Sequence, residues 1–191
     1  MDKALPHVLV IGAGTMGCGI AAGFVAHGCD VMLLVRDGSR CETAQRQTLP
    51  LLDSATTAPE RGALTVHALD AFDGWDGVDL VIESIKEDLA LKPQIFAWLD
   101  GRVPAGGPIG SNSSGVPISR IATGLAGRSR MFGMHYFMPA HRVPLVEVVL
   151  GVDSDPLLAQ QVCGMFAATG KKPVLVSATS RGSSRTASSM P

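Results

Sequence analysis

Three glycines near the start of the chain have the spacing of a dinucleotide-binding turn. Gly12, Gly14 and Gly17 form G-x-G-x-x-G between the apolar run HVLVI and a stretch of small apolar residues. The first glycine permits a tight turn, the second lets backbone amides approach a pyrophosphate, and the third allows close packing of helix on strand. A plain glycine-rich turn is the alternative interpretation. We assign these glycines, with Thr15 and Met16, to a cofactor site at the positive end of the helix.

The residue that discriminates between NAD and NADP is expected at the end of the second strand. An acidic side chain there holds the ribose 2′-hydroxyl of NAD, whereas a nearby arginine accommodates the 2′-phosphate of NADP. The run VMLLV places Val35 at this position, and Arg36 follows it. Asp37 would serve the ribose only if the strand ran further, and Arg36 could equally be a solvated charge. We assign Val35 and Arg36 to the cofactor site and expect NAD, with NADP left open.

Alternation of short apolar runs with helical segments predicts an α/β fold. Strands are expected over residues 7–11, 31–35, 64–67, 78–82, 108–110, 131–136, 145–150 and 173–176, and helices over 16–26, 88–99 and 156–169. Pro93 must lie in the first turn of its helix or kink it. Because parallel neighbours require right-handed crossovers, the first strand-helix-strand unit opens a Rossmann-type doubly wound, mainly parallel sheet, which we expect to occupy residues 1–176.

Composition and charge narrow the classes of partner. The chain has 191 residues and a formal net charge of -1, and its arginines are scattered, so we expect no binding to nucleic acid or to a membrane surface. No apolar run approaches the roughly 20 residues of a membrane-spanning helix. Four cysteines form no C-x-x-C pair, and the first residues lack the pattern of a signal segment, so we expect none. A cytoplasmic protein with reduced thiols, a small-molecule substrate and no metal is the expectation.

Four segments in a fixed order resemble the 3-hydroxyacyl-CoA dehydrogenase family. They are VIGAGTMGCGIA near the N-terminus, then VIESIKEDLALK, SNSSG and GMHYFMPAHRVPLVEVV. The resemblance extends from about residue 7 to residue 176. It implies hydride transfer between a nicotinamide cofactor and the 3-hydroxyl group of an acyl-CoA thioester.

The same resemblance implies a catalytic pair, His135 and Glu147. Oxidation of a secondary alcohol requires a group that takes the hydroxyl proton near neutral pH, and histidine suits that role. A carboxylate on the other ring nitrogen would fix the tautomer and stabilise the imidazolium. Glu147 lies in an apolar strand, where an unpaired carboxylate is costly, so it needs a partner in any interpretation. The alternative for His135 is a hydrogen-bonded core residue.

Further site residues follow from the other matched segments. The resemblance implies that Ser114 contacts the substrate oxygen and that Asn112 positions the cofactor ring. Glu87 and Lys92 match the family's E-x-x-x-x-K positions, which line the same cleft. SNSSG could also be a turn that caps the next helix. The family's H-x-x-N-P segment has Met138 at its asparagine position here, so a polar contact near the histidine is absent and the substrate preference stays open.

The resemblance stops before the end of the chain. In the family, the last strand is followed by a D-x-P-G-F-x-x-N-R segment and a helical domain that closes the substrate cleft and mediates dimerisation. Residues 177–191 are instead SATSRGSSRTASSMP, for which we expect disorder. With GC-rich codons, a shifted frame would convert residues 178–191 into DVPGFLANRIQHA, so we hypothesise a frameshifted or truncated reading of a longer gene. A homodimer is expected only with the helical domain.

Two other functions compete with the acyl-CoA dehydrogenase. A dehydrogenase of free hydroxy acids on the same fold would share the glycine motif and the histidine-glutamate pair. A cofactor-binding remnant without turnover would retain the phosphate contacts and leave His135 exposed to water.

Overall fold

A computed structural model describes residues 5–55 and 60–177. Within them one sheet contains eight strands: β1 (Val8–Ile11), β2 (Val31–Val35), β3 (Leu64–Ala68), β4 (Leu80–Glu83), β5 (Ile109–Ser111), β6 (Met131–Tyr136), β7 (Leu145–Leu150) and β8 (Lys172–Ser177). The helices are α1 (Thr15–Ala26), α2 (Cys41–Leu52), α3 (Leu91–Asp100), α4 (Ile118–Ile121) and α5 (Pro156–Ala168). Short 3-10 turns span Gly38–Arg40, Trp75–Gly77 and Arg128–Arg130.

The strand order is β3-β2-β1-β4-β5-β6-β7-β8. All neighbouring strands are parallel except β6 and β7, which are antiparallel. The chain builds one side of β1 first and then returns to the other side at β4, so the strand order reverses between these two strands. Ligands bind at such a switch point, beyond the carboxyl ends of the strands. The prediction of a Rossmann-type, mainly parallel sheet is confirmed.

Two apolar clusters cover the faces of the sheet. The larger joins the inner residues of α1 and α5 to the strands, with Phe132 and Phe166 completely buried, and the smaller packs Phe96 and Leu99 of α3 against the opposite face. Small residues let α1 lie close to its neighbours, since a Cβ atom at Gly19 would be 3.3 Å from Cβ of Ala140 in the loop after β6. Close packing of this kind is the physical basis of a rigid site at the strand ends.

The structure corrects some details of the sequence interpretation. Helix α2 was not predicted, because the segment CETAQRQTLPLL is polar and contains Pro50. Its buried positions Ala44, Thr48 and Leu52 recur every four residues, which is the helical signal. Pro93 lies in the first turn of α3, which is one of the two placements that the sequence allowed; the other was a kink. Ser177 belongs to β8 and not to the tail; residues 178–191, and the hypotheses about them, lie outside the described residues.

Candidate functional site

The glycine turn between β1 and α1 has the geometry of a phosphate cradle. Gly12 has φ +102°, and a Cβ atom there would lie 2.6 Å from the carbonyl oxygen of Ser84. At Gly17 a Cβ atom would collide with the carbonyl oxygen of Gly12, at 1.7 Å, whereas at Gly14 it would meet open space. Gly14 is also the N-cap of α1 and provides no side-chain cap. The first N–H groups of the helix are therefore available to an anion.

A cleft of about 530 Å³ runs from this turn to the end of β2. Its lining includes Gly12 and Gly14 at one end, Val35 and Arg36 at the other, and Ser84 on the β4 side. Thr15, Met16 and Gly17 form the first turn of α1 beside it. The size is that of a site for a small molecule or cofactor, which is generally about 300–1,000 Å³. The cleft is suited to an extended dinucleotide, because it has the glycine cradle and the open helix end at one side.

His135 and Glu147 face each other across the antiparallel pair β6 and β7. They are directly opposite in the register, and the distance from Nδ1 of His135 to Oε2 of Glu147 is 3.0 Å. Both side chains keep access to solvent, with 27% of the His135 side chain and 18% of the Glu147 side chain exposed. When the Nδ1–H group donates a hydrogen bond to the carboxylate, the neutral ring has its lone pair on Nε2. The pair can therefore accept a proton from a bound hydroxyl group.

Asn112 connects the ends of three strands beside this pair. Its backbone N–H donates to the carbonyl oxygen of Glu83 at 2.8 Å, and its side-chain oxygen accepts the N–H of Tyr136 at 2.9 Å. Its side-chain nitrogen lies 3.3 Å from Oγ of Ser84, which lines the cleft. Asn112 thus joins the wall of the cleft to the residue that follows His135, and brings the nucleotide cleft and the histidine-glutamate pair to one edge of the sheet.

Ser114 and Glu87 meet in the loop after β5. The N–H of Ser114 donates to the Glu87 carboxylate at 3.1 Å, and Oγ of Ser113 donates to both carboxylate oxygens at 2.8 and 2.7 Å. Partial burial raises the pKa of Glu87, but the Ser113 hydroxyl, the Lys92 charge and the loop N–H groups outweigh it and hold the pKa below its usual value. The loop that carries Ser114, which is exposed, is fixed by this carboxylate.

Lys92 is placed differently from the expectation that it lines the cleft. Its ammonium lies 2.8 and 2.9 Å from the two carboxylate oxygens of Glu83, and the two side chains are 1% and 0% exposed. The hydroxyl of Ser111 donates to Glu83 at 2.6 Å and the N–H of Ile85 at 2.7 Å. A buried carboxylate requires a counter-charge, and the first turn of α3 provides it.

Glu83 was not among the predicted site residues, although its place in the sequence indicates a buried carboxylate. Its position at the end of the apolar run LVIE requires a buried partner, and Lys92 follows nine residues later on the next helix.

The loop after β6 is held down by Lys171, which precedes β8. Its ammonium donates to the carbonyl oxygens of Ala140 and Val143, the latter at 2.8 Å. Burial lowers the pKa of Lys171 to about 8. Met138, at the family's asparagine position, lies in the same loop with 67% of its surface exposed. Lys171 therefore fixes the base of this loop. The exposed apolar residue of the loop, Met138, follows His135 in the chain.

Within residues 5–55 and 60–177, no helix combines the length and the apolar character needed to cross a membrane. No group of three or more His, Cys, Asp or Glu residues in those ranges is arranged to hold a metal ion.

Comparison with known proteins gives the following similarities. Residues 7–179 match the model of the 3-hydroxyacyl-CoA dehydrogenase NAD-binding domain. A 5-formyl-3-hydroxy-2-methylpyridine 4-carboxylate 5-dehydrogenase from Mesorhizobium japonicum is 30% identical over 176 residues, which cover 89% of this chain and 57% of that relative.

Among solved structures, 3-hydroxybutyryl-CoA dehydrogenase from Escherichia coli has a TM-score of 0.73 and 28% identity, covering 93% of this chain and 39% of its own. (S)-3-hydroxybutyryl-CoA dehydrogenase from Ralstonia eutropha has a TM-score of 0.81 and 26% identity, covering 91% and 64%. The chain thus spans just over half the length of its curated relative and less than two thirds of each of these structures.

Proposed function

Because the chain belongs to the 3-hydroxyacyl-CoA dehydrogenase family and matches its NAD-binding domain, we propose that it is the part of an NAD-dependent dehydrogenase that binds the cofactor and moves the substrate proton. The observation that carries this proposal is the His135–Glu147 pair, at 3.0 Å, at the same sheet edge as a cleft suited to a dinucleotide. We assign the chain up to Ser177, the last residue of β8, to this domain.

The proposed reaction interconverts a 3-hydroxyacyl-CoA and a 3-oxoacyl-CoA. The bound nicotinamide supplies the acceptor or donor of the hydride. His135 takes the hydroxyl proton at Nε2 as the alcohol becomes a ketone, and returns it in the reverse direction. Glu147 holds the ring in the required tautomer and offsets the positive charge of the protonated ring.

The loop after β5 has a supporting role in this proposal. Asn112 is fixed on both sides, by Ser84 and by the N–H of Tyr136, so it has one orientation beside the histidine. Ser114 is held through its backbone by Glu87, which leaves its hydroxyl available to hydrogen-bond a substrate oxygen. Gly12, Gly14, Thr15, Met16 and Gly17 form the phosphate cradle, and Val35 and Arg36 form the ribose end. Lys92 acts indirectly, by fixing Glu83 below the cleft.

A second candidate is a dehydrogenase of free hydroxylated carboxylates. One observation favours it: the relative from Mesorhizobium japonicum is named for a free pyridine carboxylate. A third candidate is a cofactor-binding remnant without turnover, which would retain the phosphate contacts of the glycine turn and leave His135 exposed to water.

Oxidation of NADH by the purified chain distinguishes the three candidates. The substrates are acetoacetyl-CoA and acetoacetate, a matched pair that differs only in the CoA group. The proposal expects oxidation with acetoacetyl-CoA and little with acetoacetate. Equal or faster oxidation with acetoacetate would favour the free-acid candidate. Saturable binding of NADH without oxidation by either substrate would contradict the proposed reaction and identify a remnant.

A further inference from the structure

The ribose end of the nucleotide cleft has a charge distribution suited to an extra phosphate. We propose that this end accepts the 2′-phosphate of NADPH, so that the chain binds NADPH at least as tightly as NADH. The inference rests on the proposed nucleotide site and adds which form of the cofactor the chain selects.

The first observation is that the side chain at the end of β2 has no hydrogen-bond acceptor. Strand β2 ends at Val35, which pairs with Ala68 of β3, so the strand does not run on to Asp37. Val35 lines the cleft and is 5% exposed. Its isopropyl group has no atom that can accept a hydrogen bond from a ribose 2′-hydroxyl. The contact that favours NAD over NADP in this fold is therefore missing at its usual position.

The second observation is a pair of guanidinium groups at the same end of the cleft. Arg36 follows Val35 directly, and Arg40 ends the 3-10 turn after it; both line the cleft and both are exposed. Within the described part of the chain, neither guanidinium group makes a hydrogen bond or an ion pair. Guanidinium groups bind phosphate oxygens in a bidentate manner. Two such groups are thus available where the 2′-substituent of the ribose would lie.

Asp37 is the one carboxylate among the described residues of this lining, and it is already engaged. Its Oδ1 accepts the N–H of Ser39 at 3.0 Å and caps the 3-10 turn. That N–H, followed by the Ser39 hydroxyl and the charges of Arg36 and Arg40, keeps the pKa of Asp37 below its usual value. The nearby Glu42 faces Arg46 on the exposed surface of α2, at 3.7 Å. Two cations and one ionised carboxylate leave a positive excess at the ribose end.

The test is a pair of titrations of the chain, with NADH and with NADPH, followed by nicotinamide fluorescence. We expect the dissociation constant for NADPH to equal or fall below that for NADH, and to rise more steeply with salt, because charge–charge contacts at an exposed site are screened. The double substitution Arg36→Ala and Arg40→Ala should weaken NADPH binding by about tenfold or more and change NADH binding little. Val35→Asp should shift the preference towards NADH.

Arg46→Ala is the matched control, because it removes an equally charged side chain from the exposed surface of α2, where Arg46 pairs with Glu42. Its two dissociation constants should match those of the unmodified chain. NADH binding with NADPH at least tenfold weaker would overturn the inference and leave the proposed function intact. Equal losses for both cofactors in the double arginine variant would also overturn it. Failure to bind either cofactor would contradict the inference and the proposed function together.

Discussion

Two acid–base pairs of side chains lie at the same edge of the sheet, Glu83 with Lys92 and Glu147 with His135. They differ in burial. Glu83 and Lys92 are 0% and 1% exposed and are 2.8 Å apart. Glu147 and His135 are 18% and 27% exposed and are 3.0 Å apart. The first pair is closed to any ligand, and further donors from Ser111 and Ile85 complete its hydrogen bonding. The second pair can exchange a proton with a substrate.

Burial, more than residue type, separates a structural pair from a chemical one. A buried ion pair contributes little net stability, but removal of one partner leaves a costly charge. A partly exposed histidine can be reached by a substrate, so it can exchange a proton with a bound hydroxyl group. We therefore expect substitutions in the first pair to act on folding and those in the second to act on turnover.

Lys92→Met should change the stability of the fold most, because it leaves the Glu83 carboxylate buried without a counter-charge. The free energy of unfolding, measured by urea denaturation, should fall by about 3–5 kcal/mol. The matched control is the double variant Glu83→Gln with Lys92→Met, which removes both charges and should recover most of that loss. A single variant as stable as the unmodified chain would show that the pair does not hold α3 to the sheet.

A smaller effect, and on a different quantity, is expected for Glu147→Gln. The amide retains the shape of the side chain but no longer offsets the charge of the protonated histidine. Turnover should fall about tenfold or more, as part of the roughly 10²–10⁴-fold that a positioned acid–base group contributes. Urea denaturation should change little. If stability fell as in Lys92→Met, the contrast between the two pairs would be wrong.

The smallest effect is expected at the exposed carboxylate of Glu87. Ser113→Ala removes the hydroxyl that donates to both of its oxygens, and the cost should be about 1 kcal/mol. Because the pKa of Glu87 is lowered in the folded chain, this stabilisation is present above the pKa of the unfolded chain and disappears as the pH falls through the folded value. The difference in stability between the two chains should thus shrink on acidification to the contribution of the Val116 N–H, which donates to the Ser113 hydroxyl oxygen at 3.1 Å. A difference that stays constant down to acid pH would show that the Glu87 contact contributes nothing.

The sequence predicted the fold and the positions of the main site segments because both depend on local patterns. The glycine spacing requires a tight turn, and the short apolar runs require buried strands, so β1, α1 and β2 could be placed before any contact was known. The cross-strand pairing of His135 with Glu147 was implied by the family resemblance, and the register of β6 and β7 brings the two together. Their roles stay predictions.

Other features depend on long-range geometry and could not be placed in the same way. Lys92 occupies the family's cleft position in sequence, but the first turn of α3 directs its ammonium to Glu83. Helix α2 was missed because its buried face consists of Ala44, Thr48 and Leu52, which is a weak apolar signal. The links of Asn112 to Ser84 and Tyr136 join three strands that are distant in sequence. Such contacts become visible only when the strand order is known.

The most direct test of the account is the His135→Gln variant, assayed for oxidation of NADH by acetoacetyl-CoA together with its NADH affinity. We predict that turnover falls by about 10²–10⁴-fold, because the group that exchanges the proton is removed. NADH affinity and the urea midpoint should stay at the values of the unmodified chain, since the phosphate cradle and the Glu83–Lys92 pair are untouched. Unchanged turnover in His135→Gln would contradict the assignment of this pair to the chemistry.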